Sequence, residues 1–163
     1  MNTILLANII MIIGEGFFFL GSTRKDKRSI LLCQIASMLI MGVASFLLKG
    51  YSAIVMDAVG IVRNILSINN ISSRFLSYLF IVLIIVLGIL FNSNSLWGIL
   101  PIVANVTQSL IILNEKVTVR QLRLASAFSS LCWAVFNFVI KGYAGMAFNI
   151  ANCLSYLYHA LKK

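Results

Sequence analysis

The sequence predicts an all-α membrane protein whose seven transmembrane helices form two parallel three-helix repeats joined by a linker helix, and three observations support this. The 163-residue chain is 61% hydrophobic, only 10% charged and carries a single proline, a composition outside the range of water-soluble domains. Apolar runs at about residues 4–21, 29–48, 51–69, 74–92, 96–113, 122–140 and 143–160 each approach the roughly 20 helical residues that cross a ~30 Å hydrocarbon core. Lys49-Gly50-Tyr51 recurs as Lys141-Gly142-Tyr143, a shift of 92 residues. The same shift lays Ser37 on Ser129, Leu39 on Leu131, Val43 on Val135, Phe46 on Phe138 and Asp57 on Asn149 without a gap. Extended back, it lays Ile4–Gly21 on Leu96–Leu113, so that 1–73 is the first repeat, 74–93 the linker helix and 94–163 the second repeat.

The first run has no basic residues ahead of it and no small-residue cleavage site before Arg24-Lys25-Asp26-Lys27-Arg28, so it reads as a retained span and not a signal peptide. Gly14-Glu15-Gly16 interrupts it with a carboxylate between two residues that let backbones approach, and Phe17-Phe18-Phe19 follow as lipid-facing aromatics. Helix two, Ser29–Leu48, carries a small-residue face of Ser37, Gly42, Ala44 and Ser45 for tight packing. At its end Gly50 permits the turn, Lys49 snorkels and Tyr51 marks the interface. Helix three, Tyr51–Asn69, has Arg63 and places Asp57, Gly60 and Asn64 on one face.

Helix four, Arg74–Asn92, has no polar residue in its middle and serves as a lipid-facing connector that gives both repeats one orientation. Helix five starts at interfacial Trp97 and holds Pro101, a candidate hinge, followed by Asn105, Thr107 and Gln108. Helix six places Trp133 near mid-depth and Asn137 nearer one end. Helix seven offers Asn149, Asn152 and Ser155, and His159 closes it at a solvated end.

A net charge of +9 would suit a nucleic-acid partner, but the distribution of the basic residues is explained by orientation in a membrane, and no nucleic-acid role is expected. With the N-terminus outside, Arg24, Lys25, Lys27, Arg28, Arg63, Arg74, Lys116, Arg120, Arg123, Lys162 and Lys163 fall at or near the cytoplasmic side, and only Lys49 and Lys141 outside. An odd number of spans then leaves the C-terminus in the cytoplasm. Cys33, Cys132 and Cys153 all sit in apolar runs as small hydrophobes, so neither a disulfide nor a metal is expected, and no cofactor. Catalysis is not expected either: Asp57 is the one intramembrane aspartate, no intramembrane histidine exists, and no glycine-rich phosphate loop is present.

Two sets of residues carry chemistry. Glu15 and Arg63 share a depth, roughly 16 and 18 Å below the outer ends of their helices. An unpaired charge at a helix centre costs about 2.5–3.5 kcal/mol on insertion scales, and the repeat replaces Glu15 by Thr107 and Arg63 by Ser155, losing both charges together. These facts predict a Glu15–Arg63 ion pair, acting as a gate or coupling site. The second set is Asp57, Asn64, Asn105, Gln108, Trp133, Asn137, Asn149 and Asn152, amides and an aromatic face suited to hydroxylated or heterocyclic molecules near the midplane. Interhelical hydrogen bonds that only hold the bundle together explain the same amides.

A three-helix repeat, a lone linker and a second parallel repeat resemble the SWEET-type superfamily, which also contains PnuC vitamin transporters, PQ-loop proteins and the KDEL receptor. Pro101-Ile102-Val103, the stretch Leu131-Cys132-Trp133-Ala134-Val135-Phe136-Asn137-Phe138 before Gly142, and Ser52-Ala53-Ile54 leading to Arg63 resemble the YgjV-type family of bacterial inner-membrane proteins. The chain departs from the PQ-loop pattern at Ile102, and Ile9 stands where the second repeat has its proline. The resemblance implies a SWEET-like, multi-pass protein of the bacterial inner membrane. The expected function is transport of a small polar or heterocyclic metabolite, such as a sugar, nucleoside or vitamin-like molecule, by alternating access between the repeats. The alternative is a non-transporting receptor or assembly factor on the same scaffold. Its partners are then the lipid bilayer and a small polar molecule, with a homo-oligomer left open. A reporter fused after Lys163 is expected in the cytoplasm and one inserted at Asn94 outside; both on one side would contradict seven spans.

Overall fold

The computed structural model describes residues 2–92, 95–114 and 116–162, so Asn94 and Lys163 lie outside the described residues. Among these, seven α-helices follow one another: α1 Thr3–Thr23, α2 Lys27–Leu47, α3 Tyr51–Ile68, α4 Arg74–Leu90, α5 Ile99–Ile112, α6 Val119–Val139 and α7 Tyr143–Leu161. The 92-residue shift lays α2 on α6 residue for residue, and α3 on all but the last residue of α7. By length and composition α1, α2, α3 and α6 are long and apolar enough to cross a membrane, while α4 and Leu96–Ile112 are apolar but shorter.

Helix starts are set by side-chain oxygens. Asp26 caps α2 by accepting the Ser29 N–H at 2.8 Å, and that backbone bond holds its carboxyl below the usual range. Thr118 caps α6 in a reciprocal box with Gln121. The N-cap glycine of α7 has no side chain to do this, and Asn8 of α1 supplies the acceptor instead, taking the Ala144 N–H at 2.8 Å.

The two Lys-Gly-Tyr hinges have the same geometry, but it is not the geometry expected from the glycine. The left-handed residues are Lys49 and Lys141, at φ 59° and 65°, while Gly50 and Gly142 sit near φ −82°, ψ 63°, open to any residue. Each hinge is a Schellman turn in which the glycine N–H reaches back to Ser45 or Asn137 at 2.8 Å. Gly142 also makes room for α1: a Cβ there would lie 2.9 Å from the Met11 sulfur, so the end of that flexible side chain would have to shift. The Gly14/Gly16 pair also divides, since a Cβ at Gly14 would meet Met41 at 3.0 Å whereas Gly16 faces nothing within 4 Å.

Pro101 explains the one departure from the repeat. It is the third residue of α5, where its missing N–H would be unpaired in any case, and its ring excludes the carbonyl four residues earlier. A 3₁₀ turn, Ser95–Gly98, therefore leads into α5, while α1, with Ile9 at the matching position, runs unbroken.

Helix α1 packs on α2 and α7, α2 on α3, α3 on α5, α5 on α6 and α6 on α7, so six helices close a ring and α4 lies outside it on α3 and α5. Residues 92 apart come to the same places inside this ring, and one such pair meets directly. Ile30 and Leu122 share an apolar cluster. Gln34 Nε2 donates to its own counterpart, Ser126 Oγ, at 3.0 Å. Met41 and Trp133 line one cavity, and Ala44 with Phe136, and Leu48 with Ile140, join a second cluster. A residue that touches its own counterpart lies on the axis relating the two copies. Along α2 these positions are 30, 34, 41, 44 and 48, with Ser37 between, the 4-3-4-3-4 spacing of a helix seam.

Helix α4 buries a stripe of Ser77, Phe80, Ile84 and Gly88 and leaves most of its other side exposed. Gly88 seats Ile102 so closely that an added Cβ would lie 2.4 Å from Cγ1 of the isoleucine. Gly88→Ala is expected to lower stability by about 1–3 kcal/mol through overpacking, read as a lower melting temperature in detergent. Adding Ile102→Ala should cost less than the sum of the two single changes.

Candidate functional site

Glu15, on the inner face of α1, is 4% exposed. Its carboxylate is held by two amides from one face of α7: Asn149 Nδ2 donates to Oε1, and Asn152 Nδ2 donates to Oε2 at 2.7 Å. The i, i+3 spacing on α7 sets both amides toward α1. Charge-assisted hydrogen bonds of this kind are roughly twice as strong as neutral ones, and they offset part of the cost of burial.

Arg63 is fully buried, with 0% exposure, and faces α5. Nη1 donates to the Asn105 carbonyl, Asn105 Oδ1 and Ser109 Oγ, each at 3.3 Å, Nη2 to Gln108 Oε1 at 3.2 Å, and Nε to Asn64 Oδ1 at 3.1 Å. All of these acceptors are uncharged. Asn64 passes the network on through Gln34 Oε1 at 3.2 Å to the axial Gln34–Ser126 bond.

The structure therefore does not bring Glu15 and Arg63 together as an ion pair. They face different neighbours, Glu15 the α1–α7 seam and Arg63 the α3–α5 seam. The 92-residue shift maps one seam onto the other. The loss of both charges in the second repeat thus reflects two equivalent seams solved by opposite charges, with amides on the facing helix each time.

Among α1, α2, α3, α6 and α7 lies a cavity of about 40 Å³, lined by Glu15, Phe18, Ser37, Met38, Met41, Ser45, Asp57, Trp133 and Asn149. It has room for about three water molecules. Two repeat-counterpart pairs, Met41/Trp133 and Asp57/Asn149, share its wall. Small serine side chains at Ser37 and Ser45 leave the space, and Met38 and Met41 are flexible enough to change it. Among the described residues Asp57, 7% exposed, accepts no hydrogen bond.

A model of the Imp-YgjV family, described as bacterial inner membrane protein, matches residues 5–162. The chain belongs to that family. Neither the curated proteins nor the solved structures compared with it yield a match.

In this Imp-YgjV protein the residues expected to bind substrate separate into three groups. Asp57, Trp133 and Asn149 line the cavity, and Glu15, expected as a gate residue, joins them. Asn64, Asn105 and Gln108 serve Arg63, and Pro101 accepts the Asn105 amide at 3.1 Å through its carbonyl. Asn152 holds Glu15 from outside the wall, and Asn137 stands at the α6–α7 hinge, its carbonyl accepting the Gly142 N–H and its amide packed against Gly145. Asn64, Asn105, Gln108 and Asn152 thus hydrogen-bond buried side chains across or along helix seams, whereas the buried amide nitrogen of Asn137 has no hydrogen-bond partner among the described residues.

The wall residues not expected are Phe18, Ser37, Met38, Met41 and Ser45. Phe17 and Phe19 are exposed, but Phe18 between them, expected to face lipid as they do, turns inward onto Tyr156, with ring centroids 5.4 Å apart. Ser37, Met41 and Ser45 at i, i+4 and i+8 were the legible signal, one face of α2 carrying two hydroxyls around a methionine. Asn152→Leu removes a donor from a buried carboxylate and is expected to cost about 1–3 kcal/mol. The test is thermal unfolding in nanodiscs, and an unchanged melting temperature would contradict the Glu15–Asn152 bond.

Proposed function

We propose that this inner membrane protein carries a small polar molecule across the bilayer by alternately exposing the cavity between two three-helix repeats in a 3+1+3, SWEET-like arrangement. The observation that carries the reading is that counterparts from the two repeats, Met41/Trp133 and Asp57/Asn149, line one cavity on the line where Gln34 meets Ser126. Transporters built from repeats place their sites in this way, near the midplane and at the repeat interface. Apolar rungs flank the cavity: Ala44, Phe136 and Ile140 toward the Lys-Gly-Tyr hinges, and Ile30 and Leu122 toward the other end. Each is a candidate gate, and Pro101 is a candidate hinge for the helix that carries the acceptors of Arg63. No catalytic role is assigned to any residue.

The alternative is a receptor or assembly factor on the same scaffold, which the small cavity favours, because small-molecule pockets run to about 300–1,000 Å³. In a chain with Cys33, Cys132 and Cys153 replaced by alanine, Ser45→Cys puts a thiol in the cavity wall. A membrane-impermeant thiol reagent is expected to label it from both sides of oriented vesicles. Labelling from one side only favours the receptor, and protection from both sides contradicts alternating exposure.

A further inference from the structure

The cavity wall is made of hydrogen-bond acceptors. The two N–H groups of Asn149 go to Glu15 Oε1 and to the Gly145 carbonyl, both of which can only accept, so its orientation is forced and only its carbonyl oxygen remains free. Asp57 contributes a carboxylate that accepts no hydrogen bond from any described residue, and Glu15 contributes the lone pairs its two amides leave over. Independently of the carboxylates, the hydroxyls of Ser37 and Ser45, each 3% exposed, face the same space and have no hydrogen-bond partner among the described residues. Among the described residues no lysine, arginine or histidine lines it, and Arg63 is engaged by α5. The rest of the wall is the rings of Phe18 and Trp133 with the side chains of Met38 and Met41, surfaces that attract a cation or an alkyl group.

We propose that the cavity takes the head group of a small protonated amine, its N–H donors shared among Glu15, Asp57, Ser37 and Ser45 and its carbon chain set against Trp133 and Phe18. An ammonium between the two carboxylates turns a like-charge repulsion into two attractions, which are strong where water is scarce. A neutral hydroxylated molecule offers fewer donors and leaves both carboxylates unbalanced. The volume agrees, since about 40 Å³ fits an ammonium and a short chain but not a sugar ring or nucleoside without large opening. This inference rests on the transport reading for how the amine enters and leaves, and it narrows the cargo from polar molecules in general to cationic amines.

The test is a melting curve of the purified protein in nanodiscs, titrated with propylammonium, with n-propanol as the uncharged match, tetramethylammonium as a cation without N–H groups, and sodium chloride at equal ionic strength. Propylammonium alone is expected to give a saturable rise in melting temperature. Asp57→Asn, which copies the residue at the matching position of the sequence repeat, Asn149, is expected to weaken the response by about tenfold or more. Ser37→Ala, which removes one acceptor without touching a charge, should weaken it severalfold and carries the test if Asp57→Asn does not fold. Equal stabilisation by n-propanol, tetramethylammonium or sodium chloride overturns the proposal, as does a flat response to all four or an unchanged response in both variants. Liposome uptake separates the two readings: stabilisation by propylammonium without its uptake keeps the site and removes transport. Uptake of a neutral polar solute without an ammonium response keeps transport and removes this inference.

Discussion

The bundle depends on satisfying two opposite buried charges separately, one in each of two equivalent helix seams. A carboxylate or guanidinium taken out of water loses several kcal/mol of solvation even after relaxation, and direct pairing is the familiar remedy. Here each charge is met by carboxamides, mostly from the facing helix: Glu15 by Asn149 and Asn152, and Arg63 by Asn105 and Gln108 of α5 together with its own neighbour Asn64 on α3. Hydrogen bonds to ionised groups are worth about 1.5–3 kcal/mol each, so two for the carboxylate and five for the guanidinium are of the right order. Because the contacts α1–α7 and α3–α5 are two of those that close the six-helix ring, these bonds set how α1 sits on α7 and α3 on α5.

The consequence for function is that the cavity carboxylates have no fixed cation. Had Arg63 paired with Glu15, one of the two cavity carboxylates would have been neutralised and its side of the space filled. With Arg63 held by α5, Glu15 and Asp57 face the cavity with Ser37, Ser45 and the carbonyl of Asn149. The seam rungs above and below are filled by Phe136, Ile140, Ile30 and Leu122, and at the serine rung the filling stops. Packing thus confines the gap to the level where the acceptors are.

Much of this was legible in the residues. The Lys-Gly-Tyr repeat located the hinges and its register matched α2 to α6, because identical Schellman turns need identical spacing. Azimuth was not legible. The sequence placed Glu15 and Arg63 at similar distances from their helix ends, yet such a distance does not say which neighbour a side chain faces until the order of helices round the ring is known. The hinge glycine misled for a related reason: Gly50 looked like the left-handed residue, but the turn places that conformation one residue earlier, on the exposed Lys49. Ser37 and Ser45 passed as small packing residues, because a hydroxyl that faces a cavity and one that faces a neighbouring helix have the same sequence signature.

The most direct test of the separate-seam account is a pair of double-mutant cycles on thermal stability in nanodiscs, one crossing Glu15→Gln with Asn149→Leu and the other crossing Glu15→Gln with Arg63→Gln. Contacting residues couple by about 0.5–3 kcal/mol, whereas sites without shared partners add to within about 0.5 kcal/mol. The account expects strong coupling of Glu15 to Asn149 and near-additivity of Glu15 with Arg63. Strong coupling of Glu15 to Arg63 with additivity toward Asn149 would contradict it and restore the ion pair.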